Sequence, residues 1–95
     1  MELKTDGMKL IIKDNIKSVE HFQQIKEALD SISSTHTSVL LQIPDSLSMT
    51  SSVIGYLMKL IHKENIRISM EIGDDRLINL LADLGLDKEF NVRKV

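Results

Sequence analysis

Hydroxyl groups are the reactive side chains that this chain concentrates. Residues 46–61 read SLSMTSSVIGYLMKLI, with Ser48, Thr50, Ser51 and Ser52 inside five positions, just ahead of a helical apolar pattern. An alcohol becomes a nucleophile only beside a base, and no acid, base or metal ligand stands among those five positions. Two roles remain. Such hydroxyls can accept from the free N–H groups of a helix start, which is redundant N-capping. Alternatively, one of them projects and is phosphorylated, where the helix N-terminus favours negative charge. That modification adds about −2 charge to a surface of small neutral groups, enough to repel a docked partner without unfolding anything.

The other candidates have structural explanations. His21 and His62 fall on helix positions off the apolar stripes and His36 in a loop, with no metal-ligand spacing between any two. Asp74 and Asp75 suit the first turn of a helix, against its dipole. Gly7, Gly55, Gly73 and Gly85 are isolated, so no phosphate-cradling loop is present. Met8 and Met70 take core-facing positions. No catalytic residue, no metal ligand and no cofactor is expected. The chain is expected not to be an enzyme.

At 95 residues the chain reads as one domain, residues 1–95. Surface scaling gives about 5,500 Å² exposed when folded, with roughly 65% of the extended chain's surface buried. That suffices for one core without staples, and the sequence has no cysteine to supply any. The twelve Lys and Arg are scattered among fourteen Asp and Glu, without a basic stripe carrying aromatics. Nucleic acid is therefore not an expected partner. No signal-peptide pattern and no span-length apolar run occurs. A cytoplasmic location and no membrane insertion follow as expectations.

The elements that must position the hydroxyls can be read in order. MELKTD is an edge strand, Asp6-Gly7 a tight turn, and MKLIIKD a second strand with Met8, Leu10 and Ile12 on one face. Ser18 caps a helix whose stripe is Val19, Phe22, Ile25, Leu29 and Ile32. SVLLQIPD is the most apolar strand, and Pro44 stops its ladder. A helix from about Ser51 to Lys63 buries Val53, Ile54, Leu57, Leu60 and Ile61, with Tyr56 off the stripe. IRISMEI alternates with Ile66, Ile68, Met70 and Ile72 on one side. A third helix spans about Asp74 to Leu84, with Gly85 as its left-handed terminator and Leu86 folding back. EFNVRKV closes the chain as a short strand or tail.

The order β-β-α-β-α-β-α, with a possible last strand, demands parallel neighbours and right-handed crossovers. Parallel strands covered on both faces read as continuous apolar runs, but MKLIIKD and IRISMEI alternate. The expected fold is an α/β two-layer sandwich, a mixed sheet of four to five strands with three helices mainly on one face.

From about Met8 to Val92 the chain resembles STAS domains (sulfate transporter and anti-sigma factor antagonist). The most specific pieces are MTSSVIGYLMKL, where that family typically shows Asp-Ser-Ser-Gly-x-Gly, and LLADLGLDKEFNV, similar to its Leu-x-x-x-Gly-Leu-Asp-x-x-Phe ending. Thr50 stands in place of the motif Asp and Val53 in place of its first Gly, while Gly55 matches the second. The resemblance implies a non-enzymatic bacterial regulator in which Ser51 is phosphorylated, with Thr50 and Ser52 as secondary acceptors. It further implies an anti-sigma factor or serine kinase as partner, a phosphatase that restores the alcohol, and a docking surface at Asp45, Ser46, Met49, Thr50, Ser52 and Tyr56. It implies that Gly55 lets its helix lie close against a neighbour. The alternative is a constitutive STAS-type subunit of a lipid-transport complex or a stress-sensing assembly, docked without phosphorylation.

Overall fold

A computed structural model describes all residues, 1–95. The chain runs β1 (Glu2–Asp6), β2 (Lys9–Lys13), α1 (Val19–Ser33), β3 (Ser38–Ile43), α2 (Ser51–His62), β4 (Arg67–Ile72), α3 (Asp75–Asp83) and β5 (Val92–Lys94). The accessible surface is 5388 Å², in line with the scaling expectation for this length. The closing segment forms a strand, which completes the α/β two-layer sandwich with a mixed sheet of five strands.

The strands lie in the order β1-β2-β3-β4-β5. Gly7, at φ +61°, turns the only antiparallel pair, in which Leu3 lies opposite Ile12. From β2 onward every pair is parallel, with Leu10 beside Leu41, Leu41 beside Met70, and Met70 beside Val92. Three steps in the same direction, each with a right-handed crossover, put all three helices on one face. Burial agrees. Leu10, Ile12, Val39, Leu41, Ile43, Ile68, Met70 and Ile72 are buried, whereas the alternate residues of the same strands reach solvent.

The helices begin and end on side chains suited to the task. Ser18 and Thr50 accept from the N–H groups of His21 and Val53, and Asp74 accepts from Arg76. The Arg76 side chain, followed by its backbone N–H, pushes the Asp74 carboxyl down to about 2. α3 stops on Gly85 at φ +74°. The Gly85 N–H reaches the Ala82 carbonyl at 3.0 Å and the Leu86 N–H the Leu81 carbonyl at 2.8 Å. These two bonds form a Schellman motif.

Several apolar residues leave the positions expected of them. Met8 is exposed because it sits in the hairpin turn rather than in β2. Val19 is 75% exposed at the first position of α1 and does not join its buried stripe. Leu84 is exposed as the C-cap of α3 instead of joining its stripe.

Two glycines have opposite requirements. A Cβ on Gly73 would lie 2.1 Å from the Pro44 carbonyl oxygen, so β4 can pass the end of β3 only without a side chain there. A Cβ on Gly55 would meet nothing within 4 Å, so no close packing explains that residue and the expected approach to a neighbour is absent. Gly73→Ala should therefore cost about 2–4 kcal/mol and lower the melting midpoint by on the order of 10 °C. Gly55→Ala, in an open helix interior, should stabilise by about 0.5–1 kcal/mol. Parallel thermal melts of the two variants check both signs.

Candidate functional site

β2 and β3 are parallel neighbours, so the loops that leave their C-terminal ends emerge side by side. Four hydrogen bonds bind this region. The Asp14 N–H donates to Asp45 Oδ1 at 2.8 Å, the Leu47 N–H to Asn15 Oδ1 at 2.8 Å, and the Ile16 N–H to Ser46 Oγ at 3.0 Å. Ser46 Oγ in turn donates to the Ser48 carbonyl at 2.7 Å. Below this lattice Met49, Ile16 and Val53 are buried in the core. The approach to α2 is thus held from both sides.

This arrangement assigns the hydroxyls. Ser46 is fully buried, and its oxygen both accepts and donates within the loop pair. Thr50 is the N-cap, its Oγ1 accepting from the Val53 N–H at 3.3 Å while its carbonyl accepts from Ile54. Ser48 is exposed and contributes its carbonyl. Ser51 and Ser52 are exposed at the first two positions of α2, with no structural bond assigned to either hydroxyl. Capping occupies one side chain of the four; the fold leaves Ser51 and Ser52 free.

The expected docking residues divide accordingly. Asp45 is exposed, Thr50 and Tyr56 are half-buried, and Ser52 is exposed. Ser46 and Met49 are buried, which removes them from any contact surface and corrects the sequence expectation for both. In their stead stands Leu47, 39% exposed between two serines. Polarity alone would place Ser46 outside and Leu47 inside. The bond from the Ile16 N–H reverses that, because a buried backbone donor needs a partner.

A cleft of about 160 Å³ opens beside the hydroxyls, lined by Lys17, Ser18, Val19, Phe22, Thr50 and Ser52. Two helix N-caps, Ser18 and Thr50, therefore share one recess with a lysine. Both helix dipoles turn their positive ends to it. Lys17, Ser18, Val19 and Phe22 were not among the expected site residues. Nothing in the sequence marks the recess, since Val19 reads there as part of the buried stripe of α1.

One turn along α2, Tyr56 ties this helix to α1. Its hydroxyl donates to the Asp30 carboxylate, Phe22 meets its ring edge-on at 6.2 Å, and the ammonium groups of Lys26 and Lys59 lie 5.2 and 5.5 Å from its centroid. Lys26 also bonds Asp30 at 3.1 Å. Burial, then the bond to Asp30, pushes the Tyr56 phenol up to about 12. Burial alone would raise the Asp30 carboxyl, but the bonds from Tyr56 and Lys26 outweigh it and hold the group below its ordinary value. Of the histidines, His21 accepts from the Lys17 N–H and His62 pairs with Glu89 at 2.7 Å.

Comparison with protein families, with curated proteins and with solved structures finds no match for this chain. No helix is long and apolar enough to cross a membrane.

Ser46→Ala should cost about 1–3 kcal/mol by leaving the Ile16 N–H buried and unpaired, although the removed group is a single oxygen. Chemical denaturation measures it. Tyr56→Phe should cost about 1 kcal/mol at neutral pH. It should also flatten two limbs of the stability profile. The Asp30 contribution is present above the ordinary carboxylate range and lost as pH falls through its depressed value. The Tyr56 contribution is present below about 10 and lost as pH rises towards about 12. Denaturation midpoints of both proteins across pH test the pair.

Proposed function

We propose that this chain is a non-enzymatic, STAS-like regulatory protein that switches partners when Ser51 is phosphorylated. The observation that carries the reading is the division of labour among the hydroxyls. Ser46 and Thr50 meet the loop's own needs, while Ser51 stands exposed at the first position of α2, open to a kinase. A phosphate on it would sit at a helix N-terminus and next to the recess that holds a second one. The folded state would therefore accept it without rearrangement.

The unmodified surface suits a protein partner. Leu47 and Val19 offer apolar contact, and Asp45, Ser48 and Ser52 supply a polar rim. An added dianion in the middle of that surface must be desolvated for the same partner to dock, and it turns a neutral contact repulsive. The partner is proposed to be an anti-sigma factor or serine kinase, with a phosphatase restoring the alcohol. Thr50 lends its oxygen to the Val53 N–H, which leaves it the poorer acceptor; Ser52 lines the recess.

Incubation with the cognate kinase and ATP, followed by peptide mass spectrometry, should place phosphate on Ser51. Ser51→Asp should weaken partner binding by about tenfold or more, with Ser51→Ala close to wild type. Phosphate found only elsewhere would reject the assignment. Equal binding by wild type, Ser51→Ala and Ser51→Asp would instead make the protein a constitutively docked subunit.

A further inference from the structure

The sheet face turned away from the helices is uncovered, and its composition is not that of an ordinary solvated surface. Alternation puts Ile11, Leu40, Gln42 and Ser69 in its centre, all half-buried. Ile11 pairs with Gln42 and Leu40 with Ser69, so two aliphatic side chains lie on adjacent central strands. Sheets of parallel strands are normally packed on both faces. Here three parallel pairs lack the second layer.

Charge around this centre is biased against the chain's own sign. The chain carries a net −2, yet the outward residues of the five strands bring five cations against three carboxylates. Glu2 is taken by Lys13 at 3.8 Å and Glu71 by Arg93 at 3.2 Å. Lys4, Lys9 and Arg67 form no ion pair. Beyond Arg67 a concavity of about 700 Å³ opens towards β5, where Lys88 and Asp87 offset each other and Arg67 and Arg93 supply the remaining charge. At the other end of the strands, Ile11, Pro44 and Val95 line a smaller apolar recess of about 210 Å³.

From this pattern we infer that the open sheet face is a docking surface for an acidic amphipathic helix of a partner protein. Such a helix supplies the missing layer. Its apolar stripe covers Ile11 and Leu40, and carboxylates on its flanks meet Lys9 on one side and Arg67 on the other. A helix fits better than single-stranded nucleic acid, because the face carries no aromatic side chain on which a base can stack. A second copy of this chain, presenting the same face, would bring like charges together. The surface is in the sheet layer and the Ser51 loop opens into the helix layer, so this docking stands apart from the switch proposed above.

The test places a photo-crosslinking amino acid at position 40 of the full chain in its native cell, with position 23, on the solvent side of α1, as control. A position-40 adduct is expected to map to a partner segment with apolar residues at helical spacing and flanking carboxylates. The double change Lys9→Gln with Arg67→Gln should lower its yield about fivefold while the melting midpoint stays nearly unchanged, since neither side chain forms an ion pair and no like charge is set opposite Asp6. Ser51→Asp should leave that yield as it was. The inference is overturned by no adduct above the control, by an adduct with a second copy of this chain, with lipid or with nucleic acid, or by a partner segment without acidic residues.

Discussion

Parallel pairing of successive strands is the constraint on which the rest of this structure depends. Because β2, β3, β4 and β5 follow one another across the sheet in sequence order, every crossover runs the same way and every helix lands in one layer. Three consequences follow from that single choice. One core forms between sheet and helices, from Leu10 at one side to Leu81 and Phe90 at the other. The chain segments leaving β2 and β3 emerge together, close enough for Ser46 to take up the Ile16 N–H. The opposite face of the sheet is left bare.

At the loop, hydrogen-bond demand decides which side chains remain free for chemistry. A backbone N–H that is buried without a partner costs on the order of 1–3 kcal/mol. Ser46 answers for one such group across some thirty residues of chain, Asn15 takes up the more exposed Leu47 N–H, and Thr50 answers for the start of α2. With those needs met, the hydroxyl of Ser51 has no structural duty, and this is the condition under which it can be modified at little cost to the fold. The Tyr56–Asp30 pair acts one turn further on. It fixes α2 against α1, so the surface around Ser51 is presented by two helices with a set spacing.

Much of this fold is legible in the chain because local signals agree with the tertiary arrangement. Gly7 in the hairpin turn (which lies one residue later than expected, at Gly7-Met8), the cap Ser18, the acidic start of α3, the stop at Pro44 and the Gly85 terminator each act within a few residues of their own position. The alternation in KLIIK and RISMEI correctly implies an open sheet face. What escapes a linear reading depends on partners far along the chain. Ser46 leaves its expected place on the surface because the group that it satisfies lies on another loop. Gly73 is isolated in the sequence, and only the pairing of β3 with β4 brings the Pro44 carbonyl against it. Gly55 misleads in the other direction, since nothing approaches it. The cationic bias of the bare face is hidden for a similar reason: its lysines and arginines are spread over four strands and meet only across the sheet.

Two surfaces on two layers raise the matter of whether a charge added to one is felt by the other. The molecule measures 31 × 26 × 24 Å, whereas the screening length at physiological salt is about 8 Å. A phosphate placed on Ser51 would therefore act through solvent chiefly on its own surroundings in the helix layer. Any influence must travel by packing. The connection is short in sequence, since β3 carries Leu40 and Gln42 on its bare face and runs straight into the loop that ends at Thr50. That loop is also the best-tied segment at its end of the fold, held by Asp14, Asn15 and Ile16. A rigid tether transmits no displacement unless it has a second arrangement to adopt. With the loop held in this way, the two proposed contacts would be independent, and a phosphate that changed the partner on one layer would leave the hold of the other as it was.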